Sequence, residues 1–192
     1  MKAGQNVKRK KSRLSGLNLI SVIFFILAAA FYFAHEKKPF LRAQQADKVV
    51  QVSTVHDGDT VSIVVERRQE KVRLIGIDAP EIGQKPWGEE AKRSLESIVE
   101  RSSRKVSIEY DVEKTDQYGR TLAYLRTVDG ILINLLMLER GLAVLYTVPP
   151  NVKYVEQFRY AQAQARERGA GMWGENGLKE KPRDYRKENP RL

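Results

Sequence analysis

Between Val49 and Ile77 the chain repeats one pattern, β-branched residues at alternate positions broken only by short polar segments. Val49 to Val55 is the first stretch. Val61, Ile63 and Val65 alternate with Thr60, Ser62 and Val64 in the second, and Lys71 to Ile77 comes after the polar Arg67-Arg68-Gln69-Glu70. Side chains two apart share a face of a strand, so each stretch can turn one face to a core and the other to water. Parallel strands need a crossover of a dozen residues or more, which these breaks are too short to supply. The pattern therefore predicts an antiparallel meander of three strands.

Beyond Ile77 the chain adds helices and two more strands. Pro80, Gly83, Pro86 and Gly88 impose an irregular loop, because proline lacks an amide proton and glycine loosens the backbone. Ala91, Leu95 and Ile98 fall on one helical face and predict a helix from about Glu89 to Arg101, with acids in its first turn. Val106 to Tyr110 and Thr121 to Val128 read as strands. Asn134 is placed to cap a short helix over 135–140 that Gly141 would end. Tyr154, Phe158, Ala161 and Ala165 mark a last helix over about 152–168, and the tail, 174–192, has ten charged residues in nineteen and reads as extended or disordered. The expected fold is α+β, a five-stranded, closed or nearly closed OB-type barrel packed with three helices.

The first 47 residues carry a different message. Leu17 to Ala34 contains no charge, and its 18 residues reach across a hydrocarbon core. Six Lys or Arg and no acid lie in residues 1–35, which leaves 28 basic and 24 acidic residues in the remainder of a chain whose net charge is +10. Most of the basic excess is thus an N-terminal flank, so the high charge is weak evidence for nucleic-acid binding. The positive-inside rule predicts a basic cytoplasmic segment over 1–16, a single transmembrane signal anchor over 17–34, a linker over 35–47, and a domain over 48–173 on the extracytoplasmic side, periplasmic or extracellular. A cleaved signal peptide is the rival reading, since Ala28-Ala29-Ala30 fits one. The chain has no cysteine, which excludes disulfides, thiol catalysis and thiolate metal sites.

Three clusters carry chemistry: Asp57-Gly58-Asp59-Thr60, Val72 through Glu81, and Thr115 through Arg120. Asp59 and Asp78 can project carboxylates from the ends of two strands. Hard oxygen donors of this kind, completed by a carbonyl and waters, suit Ca²⁺ better than Zn²⁺. Taken alone, Asp57 to Thr60 is as readily an Asx turn joining two strands. Arg73 stands among Val72, Leu74 and Ile75, where an unpartnered charge costs several kcal/mol. It can pair with a nearby acid at the barrel rim or offer its planar fork to a phosphate. Arg120 is a second candidate for phosphate. Glu81, three positions after Asp78, can overhang the same site and orient a water, or be an ordinary solvated loop residue.

In that order and spacing, Asp57 to Thr60, Arg73 with Asp78-Ala79-Pro80-Glu81, and Thr115 to Arg120 with Leu122-Ala123-Tyr124 resemble the staphylococcal-nuclease-like (thermonuclease) family. Glu139 to Ala143 and Gly171-Met172-Trp173 extend the likeness, which covers about residues 48–173. The resemblance implies an OB-fold barrel with three helices and Ca²⁺-dependent, largely sequence-independent cleavage of DNA and RNA that leaves 3′-phosphates. It implies that Asp59, Asp78 and the Ala79 carbonyl ligate calcium, with Ala79 standing where threonine is common. It further implies that Glu81 aligns or activates water, that Arg73 and Arg120 hold phosphoryl oxygens, and that Tyr118 and Tyr146 border the nucleotide. Gln117 stands where a lysine can occur. The same barrel also occurs in non-catalytic nucleic-acid- or protein-binding modules, which are expected to lack some of these acids or arginines.

Overall fold

The computed structural model describes residues 48–190 together with Ile23, Phe24 and Leu27. The expected cytoplasmic segment, membrane anchor and linker otherwise lie outside the described residues. Among the described residues no helix is long and apolar enough to cross a membrane. The chain divides into two units, 1–45 and 46–192, and the second carries the barrel and its helices.

The strands of this unit are β1 (Lys48–Val55), β2 (Thr60–Val65), β3 (Arg68–Leu74), β4 (Gly76–Asp78), β5 (Lys105–Glu109), β6 (Thr121–Thr127) and β7 (Val144–Tyr146). Five of them close a barrel in the order β1-β2-β3-β6-β5, with β5 returning to β1, while β4 and β7 pair separately. All barrel ladders are antiparallel except β3 with β6. Helices are α1 (Trp87–Arg101), α2 (Ile133–Glu139), α3 (Val155–Glu167) and α4 (Pro182–Glu188), with a 3₁₀ turn at Gly171–Trp173.

The five barrel strands are those expected from the sequence, with three local corrections. The β2–β3 hairpin turns at Glu66 and Arg67, both with positive φ, so only Arg67 of the polar stretch 67–70 lies in the turn and Arg68 already pairs with Val65. A two-residue turn of this hand matches the right-handed strand twist. The third expected strand is broken at Ile75. Gly76 has φ +80°, and a Cβ there would lie 2.5 Å from the Phe158 ring, so the chain swings out of the barrel and continues as β4 against β7. Asn134 does not cap its helix, which starts one residue earlier at Ile133 after Leu132. Asn134 is instead fully buried, accepting from the Leu125 amide at 3.0 Å and donating to the Ile75 carbonyl at 2.8 Å. It satisfies backbone groups that the break at Ile75 would otherwise leave unpaired.

Val52, Val61, Ile63, Val72 and Leu125 fill the barrel, and α1 covers it with Ala91, Leu95, Ile98 and Val99. Met137 and Leu138 of α2 and Phe158 and Ala161 of α3 join the same core. The largest departure from expectation is the tail. Residues 182–188 form α4, with Pro182 opening it, Asp184 in its first turn, and Arg186 and Lys187 in its last. Charge content argues for an extended segment, but these end preferences are those of a helix.

Candidate active site

Register brings the first two clusters together. Thr60 pairs with Arg73 across the β2–β3 ladder, and the Leu74 amide donates to the Asp59 carbonyl at 2.9 Å. Asp59 therefore lies directly beside Arg73. Gly58 permits the approach, since a Cβ there would meet Ala91 at 2.5 Å and Ala79 at 2.7 Å. The swing into β4, held by pairing of Asp78 with Val144, then carries Asp78 back over the same end of the barrel.

One guanidinium nitrogen marks where these acids converge. Arg73 Nη2 lies 3.1 Å from Asp59 Oδ2 and 3.0 Å from Asp78 Oδ1, while Nη1 donates to the Leu74 carbonyl at 2.9 Å. Of the two roles open to Arg73, the ion pair at the rim is thus present, doubled onto both carboxylates. Asp59 also accepts from the Ala79 amide at 2.6 Å and the Thr60 hydroxyl at 3.0 Å. Both acids are buried, Asp78 to 1 % exposure. Burial pushes the Asp78 carboxyl above its ordinary range despite Arg186 and Arg73. Asp57 is pushed up to about 6, chiefly by burial and then by the neighbouring Asp59 charge.

These groups fit a hard divalent cation. Two buried carboxylates, one just before β2 and one at the end of β4, already share a single cationic nitrogen, and burial raises the proton affinity of Asp78 and Asp57. Among the described residues no group of three or more His, Cys, Asp or Glu is arranged to hold a metal ion, so any protein ligands beyond Asp59 and Asp78 would have to be main-chain oxygens, with water completing the shell. Asp59 and Asp78 are the carboxylates that could contribute to it, and Ala79 lies beside them, its amide donating to Asp59 Oδ2 at 2.6 Å.

Glu81 sits in the loop before α1. Its amide donates to Gln84 Oε1 at 3.0 Å, and Gly88 lets the first turn of α1 lie against it, since a Cβ at Gly88 would fall 1.9 Å from the Glu81 carbonyl oxygen. The Glu81 carboxylate and Asp78 are bridged by Arg186, which donates from Nη1 to Glu81 Oε1 and from Nη2 to Asp78 Oδ2, both at 2.9 Å. Sequence reasoning missed Arg186, because the tail reads as structureless. The only local signal is the Pro-x-Asp-x-Arg-Lys spacing of a short helix.

The third cluster is placed differently. Arg120 precedes β6, whose Leu122 pairs with Arg73, so its backbone starts near the site. Its side chain, however, is engaged by Asp116, with Nε 2.7 Å from Oδ2, and lies over the Tyr118 ring. Burial alone would raise Asp116, but hydrogen bonds from Arg120 outweigh it and hold the carboxyl below its usual range. Tyr118 is 74 % exposed. Tyr146 ends β7, and with Asp78 it lines a cleft of about 380 Å³ whose other wall includes Lys181, Arg183 and Lys187. His56 donates to or accepts from the Ser62 hydroxyl at 2.7 Å, a structural contact on the strand pair.

Residues 71–175 match the family described as staphylococcal nuclease homologue. The chain is 34 % identical to a thermonuclease of Staphylococcus hyicus over 166 residues, which cover 81 % of this chain and 95 % of that one. A thermonuclease of Staphylococcus intermedius is 31 % identical over 170 residues, 85 % of this chain and 98 % of its own. Endonuclease YncB of Bacillus subtilis (strain 168) is 34 % identical over 128 residues, and the match spans 63 % of this chain and 59 % of that one.

Proposed function

The chain belongs to the staphylococcal nuclease homologue family, and on that premise we propose that it is a calcium-dependent nuclease hydrolysing phosphodiester bonds of DNA and RNA with little sequence preference. The convergence of Asp59 and Asp78 on one nitrogen of Arg73 carries this reading. Asp59, Asp78 and the Ala79 carbonyl are the groups that would hold the cation. When bound, calcium supplies a Lewis acid for the phosphoryl oxygens and a template for the attack. Glu81 orients a water and takes its proton, so that the water oxygen bonds to phosphorus as the bond to the 5′ oxygen breaks. The proton passes to the leaving oxygen, and the phosphate stays on the 3′ side.

Arg73 retains donors beyond those given to the carboxylates and presents them to the charge that grows on the equatorial oxygens. Arg120 serves the same end once substrate draws it from Asp116. Tyr118 and Tyr146 are exposed at the rim, where stacking on a base is indifferent to its identity. In the cell we assign the domain to the extracytoplasmic face of a membrane, tethered through residues 17–34, on the strength of that uncharged run and its basic flank.

The test follows digestion of single-stranded DNA by the full chain with Ca²⁺, with Mg²⁺ and with chelator, beside Glu81→Gln and Arg73→Ala. Digestion that requires calcium and falls about 10²-fold or more in each variant is the expected result. A folded wild-type chain that binds DNA in every condition yet leaves it intact would instead identify a non-catalytic binding module.

A further inference from the structure

Helix α4 lies beyond the stretch that matches the family, yet it reaches the centre of the site. Its docking is specified by contacts that do not involve Arg186. Gln84 Nε2 donates to the Glu180 carbonyl at 2.9 Å, and the Trp87 indole donates to the Asn176 carbonyl at 3.3 Å. Pro182 is buried. Gly83 leaves room for Tyr185, whose hydroxyl would lie 2.4 Å from a Cβ at that position. The loop that carries Glu81 and the segment that carries Arg186 are therefore fitted to each other, and the fork of Arg186 arrives at the carboxylates as a consequence.

That fork does something neither carboxylate can do alone. Glu81 and Asp78 are two acids three residues apart. The guanidinium gives one nitrogen to each and so ties the orientation of Glu81 to Asp78. The planar geometry matters here, since an ammonium is a point charge and cannot span two acceptors at fixed angles. The Arg186 side chain is 36 % exposed, so it closes the outer side of the acid cluster while Arg73, at 12 %, closes the inner side.

We propose that Arg186 is a positioning residue of the active site, holding the Glu81 carboxylate against Asp78 in the orientation that water activation requires. This rests on the nuclease reading and extends it, making turnover depend on a helix outside the barrel core. The competing reading is that α4 is an occluding strap, since Arg73 and Arg186 together engage both oxygens of Asp78 and a cation there must share them.

The experiment compares the full-length wild type with Arg186→Gln and Arg186→Lys. Three readouts are taken: kcat and KM for single-stranded DNA with Ca²⁺, calcium affinity by calorimetry, and amide exchange across residues 79–86 without cation. Arg186→Gln is expected to lower kcat by about 10²-fold, the scale of a small misplacement of a reacting group, with KM within about threefold of wild type. Arg186→Lys should recover about tenfold of that loss through charge alone. Exchange at the Glu81 and Ile82 amides should quicken in Arg186→Gln while its thermal midpoint stays near wild type. An active wild type matched by a folded Arg186→Gln in kcat overturns the inference alone. A rise in both kcat and calcium affinity in that variant overturns it in favour of the strap. An inactive wild type overturns the nuclease reading, and this inference with it.

Discussion

At the scale of single residues, several polar side chains inside this domain are paired with partners distant in sequence, and the pairing sets both chemistry and stability. Asn134 closes the gap left by the break at Ile75, and Asn151 does the same for Glu113, accepting from its amide at 2.8 Å and donating to its carbonyl at 2.9 Å. Glu109 is the hub of a network away from the site. Tyr154 donates to it at 2.8 Å, Arg126 approaches at 3.4 Å, and Lys153 completes the set. Burial would raise the Glu109 carboxyl, but the bonds from Lys153 and Tyr154 outweigh it and hold the group below its ordinary range. A folded-state value below the unfolded one means that the unfolded chain binds more protons in acid. The contribution is therefore present above about pH 4.3, the ordinary glutamate value, and is lost as pH falls through the depressed one. Glu109→Gln should destabilise the protein by about 1 kcal/mol at pH 7, a modest figure for a solvent-screened network. The difference from wild type should shrink toward zero below about pH 4. Urea titrations at the two pH values check this, and a gap that widens in acid would refute it.

At the scale of elements, the site depends on two places where backbone runs unusually close to backbone or ring. Gly76 lets the chain leave the barrel under Phe158, and Gly88 seats α1 against the Glu81 loop. Neither position is open to a side chain. Gly88→Ala would drive a methyl into the Glu81 carbonyl, and is expected to cost about 1–3 kcal/mol as an overpacked contact and to slow digestion by displacing Glu81. Gly130→Ala is the comparison, because Gly130 has φ +83° but nothing within 4 Å. Its cost should be about 1 kcal/mol from backbone strain, with the rate unchanged. Denaturant midpoints and initial digestion rates for the pair separate crowding at the loop from general loss of stability. Equal rates in the two variants would mean that the loop tolerates the displacement.

At the scale of the whole molecule, the proposed function makes the acid cluster a place where folding and cation binding would be coupled. Asp59, Asp78 and Glu81 gather at one end of the barrel around Arg73 and Arg186 with Asp57 beside Asp59, and Asp57 and Asp78 have carboxyls raised by burial. A ligand that binds only the folded chain stabilises it by mass action. Calcium at a hundred times its dissociation constant should add about 2.7 kcal/mol, or roughly 5–10 °C in thermal midpoint for a domain of this size. Chelator should remove the gain, and Asp59→Asn should abolish most of it. A midpoint indifferent to calcium in the wild type would place the cation elsewhere or nowhere.

The sequence alone determined the barrel strands, the amphipathic helices and the kinds of side chain available for chemistry, because each of those is written in a local period or a local turn. Val61, Ile63 and Val65 are strand-like whatever surrounds them, and Ala91, Leu95 and Ile98 share a helical face wherever the helix packs. The order and spacing of the acids and arginines was enough to point to a family. Only the tertiary structure decided that Asp59 and Asp78 share one nitrogen of Arg73, that Arg120 is taken by Asp116, and that Asn134 serves the core and not a helix end. It also decided that Arg186 bridges Glu81 and Asp78. Arg186 is 108 positions from Asp78, and α4 is a seven-residue helix, too short to be stable on its own in water. Its structure comes from the surface it docks on, and that surface exists only once the barrel and the Glu81 loop have folded.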